Sequence, residues 1–126
     1  LFDDVDFDEY DCIVLPGGLP GATNLRADPR VCDLLCEFAA TKRVAAICAA
    51  PFVLGELSVL DGRRATCFPG FEKSFPEGAY TGEKLTVDGN IITASGMAQS
   101  LPFALELLRT LAGETAVKKV AEGIQL

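Results

Sequence analysis

Two short apolar runs, Cys12-Ile-Val-Leu15 and Val44-Ala-Ala-Ile47, carry no charged or hydroxyl side chain, the pattern of strands buried on both faces of a parallel sheet. The first run closes on Pro16-Gly17-Gly18, and the stretch from Gly17 to Asn24 is predicted to be a loop. Between the runs, Pro29 to Ala40 sets Val31, Leu34, Leu35 and Phe38 on one face and turns Arg30, Asp33 and Glu37 away, predicting an amphipathic helix. A second helix, Pro51 to Leu57, follows the second run, with proline early where its missing N–H costs little. Arg64-Ala-Thr-Cys-Phe68 reads as a short strand ended by Pro69-Gly70, and Phe71 to Gly82 as loop. Leu85-Thr-Val87 and Asn90-Ile-Ile-Thr93 flank Asp88-Gly89, a two-residue hairpin signal. Helices from Leu101 to Leu111, with Phe103, Leu107 and Leu111 at helical spacing, and from Glu114 to Glu122 complete the chain. Alternating strands and helices predict one α/β domain over residues 1–126, its sheet mostly parallel with an antiparallel hairpin.

Composition narrows the function. The 126 residues are 49% hydrophobic and 23% charged, enough to bury a core. Eighteen acidic residues against 11 basic give a net charge of −7 without a basic cluster, which argues against nucleic acid or an anionic membrane surface as partner. No apolar run approaches the roughly 20 residues that span a bilayer, and no signal peptide opens the sequence, so a cytoplasmic protein is expected. The chain opens on Leu1 with the acidic, aperiodic LFDDVDFDEY, and is expected to be the later portion of a longer domain.

Histidine is absent, which excludes Cys-His and Ser-His pairs within this chain and a histidine metal ligand. Five cysteines remain, an odd number set mostly in apolar patterns, so reduced thiols are expected. Cys48 breaks the run Val44-Ala-Ala-Ile-Cys48-Ala-Ala-Pro51 between a strand and a helix. It is either a small buried residue or a thiol pushed out of the sheet at a tight turn, with backbone N–H groups of the helix start aimed at it. The Gly-rich exit after Leu15 would lie beside it in a parallel sheet, where clefts form at the carboxyl ends of strands. Gly18 and Ala49 N–H groups are then placed to hold an oxyanion. Gly17 to Gly21 lacks the lysine of a phosphate-binding loop and the three-glycine dinucleotide fingerprint. No cofactor is expected. Cys32 and Cys36, four apart on one helix, are a weak zinc signal, and no metal site is assigned.

The segments YDCIVLPGGLPGATNL, AAICAAP, ATCFPGFE and DGNIITASGMAQSLPFALEL together resemble the ThiJ/PfpI superfamily, and within it the branch of the Parkinson-disease-associated protein deglycase. The resemblance implies a flavodoxin-like three-layer α/β sandwich, a homodimer, and a reactive cysteine at a nucleophile elbow, which falls on Cys48. Its oxyanion amides fall on Gly18 and Ala49, with Gly17, Cys67 and Phe68 as pocket candidates. The family's first strand and helix, which carry a glutamate bonded to the cysteine, match nothing here. Phe68 stands where many members have histidine, and Ala49 where peptidase relatives have one, so peptide hydrolysis is not expected.

The activity implied is glutathione-independent conversion of α-oxoaldehydes, or release of early glycation adducts from proteins, with no metal or nucleotide. Two other readings stay open: a redox sensor or stress chaperone working through oxidation of Cys48, and a catalytically silent dimeric domain.

Overall fold

The computed structural model describes all residues, 1–126. Its sheet has four strands: β1 (Cys12–Leu15), β2 (Arg43–Ile47), β3 (Leu85–Asp88) and β4 (Ile91–Ala94). They lie in the order β1-β2-β4-β3, with β1-β2 and β2-β4 parallel and β3-β4 antiparallel. Five helices accompany them: α1 (Gly21–Ala27), α2 (Pro29–Thr41), α3 (Pro51–Glu56), α4 (Ser100–Ala112) and α5 (Glu114–Gly123).

Side chains alternate across β2 and so divide the core between two layers. Val44 and Ala46 face Leu35 and Phe38 of α2, Val53 and Leu54 of α3, and Ala22 of α1. Ala45 faces the other way, into a smaller cluster with Ile92, Ala94 and Phe103 of α4. Phe38, Leu35 and Leu54 are fully buried, each contributing about 1.5–3 kcal/mol by removal from water. This is the predicted sandwich, with a mostly parallel sheet between helical layers. The β2 alanines are completely buried because helices cover both faces, which is why that run lacks strand-like alternation of apolar and polar residues.

The structure corrects the sequence reading in three places. The stretch from Gly17 to Asn24 is not all loop, because α1 starts at Gly21. That helix has no side-chain cap; Ala22 N–H donates to Gly18 O at 2.9 Å, and the complete burial of Ala22 is a tertiary effect that its Gly-Leu-Pro-Gly lead conceals. Arg64 to Phe68 is not a strand, and forms only an isolated bridge between Ala65 and Tyr80. Thr66 explains this: its N–H bonds the Thr93 hydroxyl and its own hydroxyl donates to Glu83 O, so its polar groups go to side-chain and loop partners in place of a ladder. The hairpin turn is Gly89-Asn90, one residue beyond the predicted Asp88-Gly89, with Gly89 at φ +56°. The aperiodic first ten residues form two short 3-10 turns, Phe2–Asp4 and Phe7–Glu9.

Two polar side chains lock the connections. Asp28 caps α2, accepting from Arg30 N–H at 2.9 Å, and the Arg30 side-chain hydrogen bonds hold its carboxyl down at about 2. Asn90 sits in the hairpin turn and donates to Ala39 O at 2.7 Å and Lys42 O at 2.8 Å, while accepting from Arg63 at 3.0 Å. It ties the hairpin to the end of α2. Replacing Asn90 with Ala strands two part-buried carbonyls and a guanidinium, and is expected to lower unfolding free energy by about 1–3 kcal/mol in urea titrations. An unchanged midpoint would show that these bonds do not hold the hairpin.

A candidate active site at the carboxyl end of the sheet

Parallel register brings three chain exits together. Leu15 pairs with Ala46 and Ile47 with Ala94, so β1, β2 and β4 all release their chains at one edge. Cys48 follows β2 directly and takes φ +65°, in the left-handed region that side chains other than glycine rarely adopt. Both of its backbone groups are fixed. Its N–H donates to Ala94 O and its carbonyl accepts from Phe68 N–H, each at 2.8 Å. The residue is partly buried between Ile47 and the fully enclosed Ala49 and Ala50.

Gly17 lies against the cysteine. A Cβ placed there would stand 2.6 Å from Cys48 Cβ, 3.0 Å from Ile47 O and 3.4 Å from the thiol sulfur. Only glycine lets the β1 exit approach this closely. The N–H groups of Gly18 and Ala49 donate to no protein acceptor; Gly18 lines the cavity over the cysteine, whereas Ala49 is buried. The helix that follows, α3, is a single six-residue piece beginning at the buried Pro51, a short source of dipole.

Gly17, Gly18, Ile47, Cys48, Met97 and Ser100 line a cavity of about 290 Å³. A larger one, of about 370 Å³, lies at the opposite end of the sheet beside Lys42 and Arg43. There the Lys42 ammonium already donates to the carbonyls of Phe7, Asp8 and Tyr10, and no thiol lines the cavity. Chemistry in this class of sheet belongs at the carboxyl end.

The structure places the other candidates as follows. Phe68 is exposed, and its ring approaches the site of a Gly96 Cβ to 3.7 Å, so it stands at the mouth of the cavity and not in its lining. Cys67 is fully buried, and that burial, reinforced by the Glu72 carboxylate, pushes its thiol up to about 12. Cys32 is buried with its thiol on Arg26 O at 3.1 Å, whereas Cys36 is exposed, so the two point into different surroundings. All five cysteines are free. No group of three or more Cys, Asp or Glu side chains is gathered for a metal ion.

Met97 and Ser100 lie in one of the segments that resemble the family but are not among the site residues that the sequence singles out. They enter because β4 is the third strand to exit at this edge, and Ala94-Ser-Gly-Met97 runs past Cys48 before α4 begins. The hairpin signal was legible, but only the parallel pairing of β4 with β2 brings its far end to the cysteine.

The DJ-1/PfpI family profile matches residues 1–110. The chain belongs to this family. It is 38% identical to Protein dj-1beta of Drosophila melanogaster over 120 residues, 93% of this chain and 64% of that protein. It is 36% identical to the Parkinson disease protein 7 homolog of Danio rerio over 115 residues, 88% of this chain and 61% of that protein. Among solved structures it superposes on oxidized DJ-1 of Toxoplasma gondii with a TM-score of 0.91 and 34% identity, covering 99% of this chain and 69% of that one. The chain thus spans less than two thirds of the length of these two curated relatives.

Two outcomes follow from the geometry. Gly17→Ala is expected to displace the cysteine turn, costing about 1–3 kcal/mol in stability and changing the rate of Cys48 alkylation by iodoacetamide. A variant with wild-type stability and alkylation would refute the close approach. The raised Cys67 thiol favours the folded state while it stays protonated, so its contribution is complete below the ordinary 9.0 and is lost as pH rises toward about 12. Urea midpoints should fall over that window in the wild type and less steeply in Cys67→Ala.

Proposed function

We propose that the protein is a cysteine-dependent, glutathione-independent glyoxalase or deglycase acting on α-oxoaldehydes or early glycation adducts of proteins. The observation that carries this reading is Cys48 held at positive φ at the carboxyl edge of the sheet, opening on a cavity beside two unpaired amides. The thiolate adds to the aldehyde carbon, and the oxygen, held by Gly18 and Ala49 N–H, takes a proton to give a hemithioacetal. A proton then moves from that carbon to the adjacent carbonyl through an enediol, leaving a thioester of a 2-hydroxy acid. Water releases the acid and restores the thiol, so methylglyoxal plus water becomes lactate with no external oxidant or reductant.

The proton transfers need a base. Ser100 is the one other lining residue with an exchangeable side-chain proton, and its hydroxyl is engaged with Met97 O at 2.7 Å. In this reading a carboxyl group from outside these 126 residues shuttles the proton, in keeping with the greater length of the relatives. We further place the protein in the cytoplasm, where reduced thiols persist, as a homodimer.

A second reading has one observation in its favour: the Toxoplasma gondii structure it resembles is of an oxidized DJ-1. The same free amides would stabilise a Cys48 sulfinate, making the protein a redox sensor or stress chaperone.

Cys48→Ala is expected to abolish lactate production from methylglyoxal while leaving the far-ultraviolet circular dichroism intact; undiminished activity would end the enzymatic reading. Under mild peroxide, mass mapping should find Cys48 oxidised before the other four cysteines. Earlier oxidation of Cys32 or Cys67 would count against the sensor.

A further inference from the structure

The irregular segment from Phe68 to Phe75 is fastened at both ends to the chain around the cysteine turn. At the near end, Phe68 N–H donates to the Cys48 carbonyl at 2.8 Å. Pro69 and Gly70 then reverse the chain: Phe71 N–H donates back to Phe68 O at 3.1 Å with Gly70 at φ +101°, the type II turn that a Pro-Gly pair favours. At the far end, the 3-10 turn Glu72–Ser74 lies on α3. There the Ser74 hydroxyl donates to Phe52 O at 3.0 Å, and a Cβ at Gly55 would stand 2.5 Å from that hydroxyl. Phe71 joins the two ends, its ring centroid 6.3 Å from those of both Phe68 and Phe52. Because α3 begins at Pro51, just after the cysteine, the segment straps the end of β2 to the helix it feeds.

One side chain fixes the shape of this strap. Type I and type II turns differ by rotation of the peptide between their two central residues, and glycine in the second of these places tolerates both. In this turn the N–H of that peptide belongs to Gly70, and Glu72 Oε2 accepts from it at 2.6 Å, a charge-assisted bond that selects the type II sense. We propose that Glu72 is a positioning residue for Cys48: by fixing the Gly70 peptide it keeps Phe68 N–H aimed at the Cys48 carbonyl, and so holds the cysteine at φ +65°. The inference rests on Cys48 as the reacting thiol, as read above, and adds a residue outside the cavity lining. Burial, and after it the Glu72 carboxylate, pushes up the Cys67 thiol, so the charge of Glu72 must be told apart from its role as acceptor. Glu72→Gln does this, because it keeps an acceptor oxygen and removes the charge.

The test follows Cys48 alkylation by iodoacetamide, with the exposed Cys36 as control in the same sample, and kcat and KM for methylglyoxal, in the wild type, Glu72→Ala and Glu72→Gln. Glu72→Ala is expected to slow Cys48 alkylation and to lower kcat, each about fivefold, the scale of one such hydrogen bond. KM and the alkylation of Cys36 should stay as they are, and Glu72→Gln should recover most of the loss. Wild-type alkylation of Cys48 in Glu72→Ala, or a Glu72→Gln variant as impaired as Glu72→Ala, would overturn the inference. A change shared equally by Cys36 and Cys48 would overturn it too, as the mark of general loosening. If the wild type turns over no methylglyoxal, the enzymatic reading falls, and alkylation alone decides the strap: slowed in Glu72→Ala and restored in Glu72→Gln supports it, and any other pattern refutes it.

Discussion

The pairing of β2 with β1 on one side and β4 on the other, all three parallel, is the constraint from which the site follows. Because the strands run in one direction, the turn after each lies at the same edge, and residues 17, 48 and 97 meet although they are far apart in sequence. β2 can occupy the middle because its side chains are small. Val44, Ala45 and Ala46 are enclosed completely, with α2 and α3 packing on one face and α4 on the other. A larger residue in that run would push a helix layer outward and shift the end of the strand carrying the cysteine.

The cysteine turn is a locally unfavourable conformation held by its surroundings. A non-glycine residue at φ +65° costs on the order of 1–2 kcal/mol. Two hydrogen bonds of 2.8 Å, to Ala94 and from Phe68, keep it there, and Gly17 leaves no room for relaxation toward β1. Strain of this kind gathers where a side chain must be presented to a ligand. Here its effect is to commit the Cys48 N–H to the sheet while leaving those of Gly18 and Ala49 unpaired.

Contrasting environments divide the five thiols. Cys67 lies enclosed with its thiol pushed up to about 12, and Cys32 donates to a helix carbonyl. Only Cys48 faces an apolar cavity. The distinction is one of position, since all five residues are chemically identical and four of them stand in similarly apolar stretches of sequence.

How much was legible follows from the range of each signal. The strands at 12–15 and 44–47, the amphipathic α2 and the hairpin were readable because burial on both faces, helical periodicity and turn chemistry act over a few neighbouring residues. Helix α1 and the failed strand at 64–68 were not, since Ala22 is fixed by distant packing and Thr66 by bonds to Thr93 and Glu83. The sequence by itself determined the fold class, the cysteine at a strand-to-helix break, the glycine pair beside it and the absence of histidine. Tertiary structure alone decided that Met97 and Ser100 join them and that Phe68 stays at the rim. It also decided that Cys67 is sealed away, because those facts depend on strand order and register, which bring together residues whose separation along the chain carries no local signal.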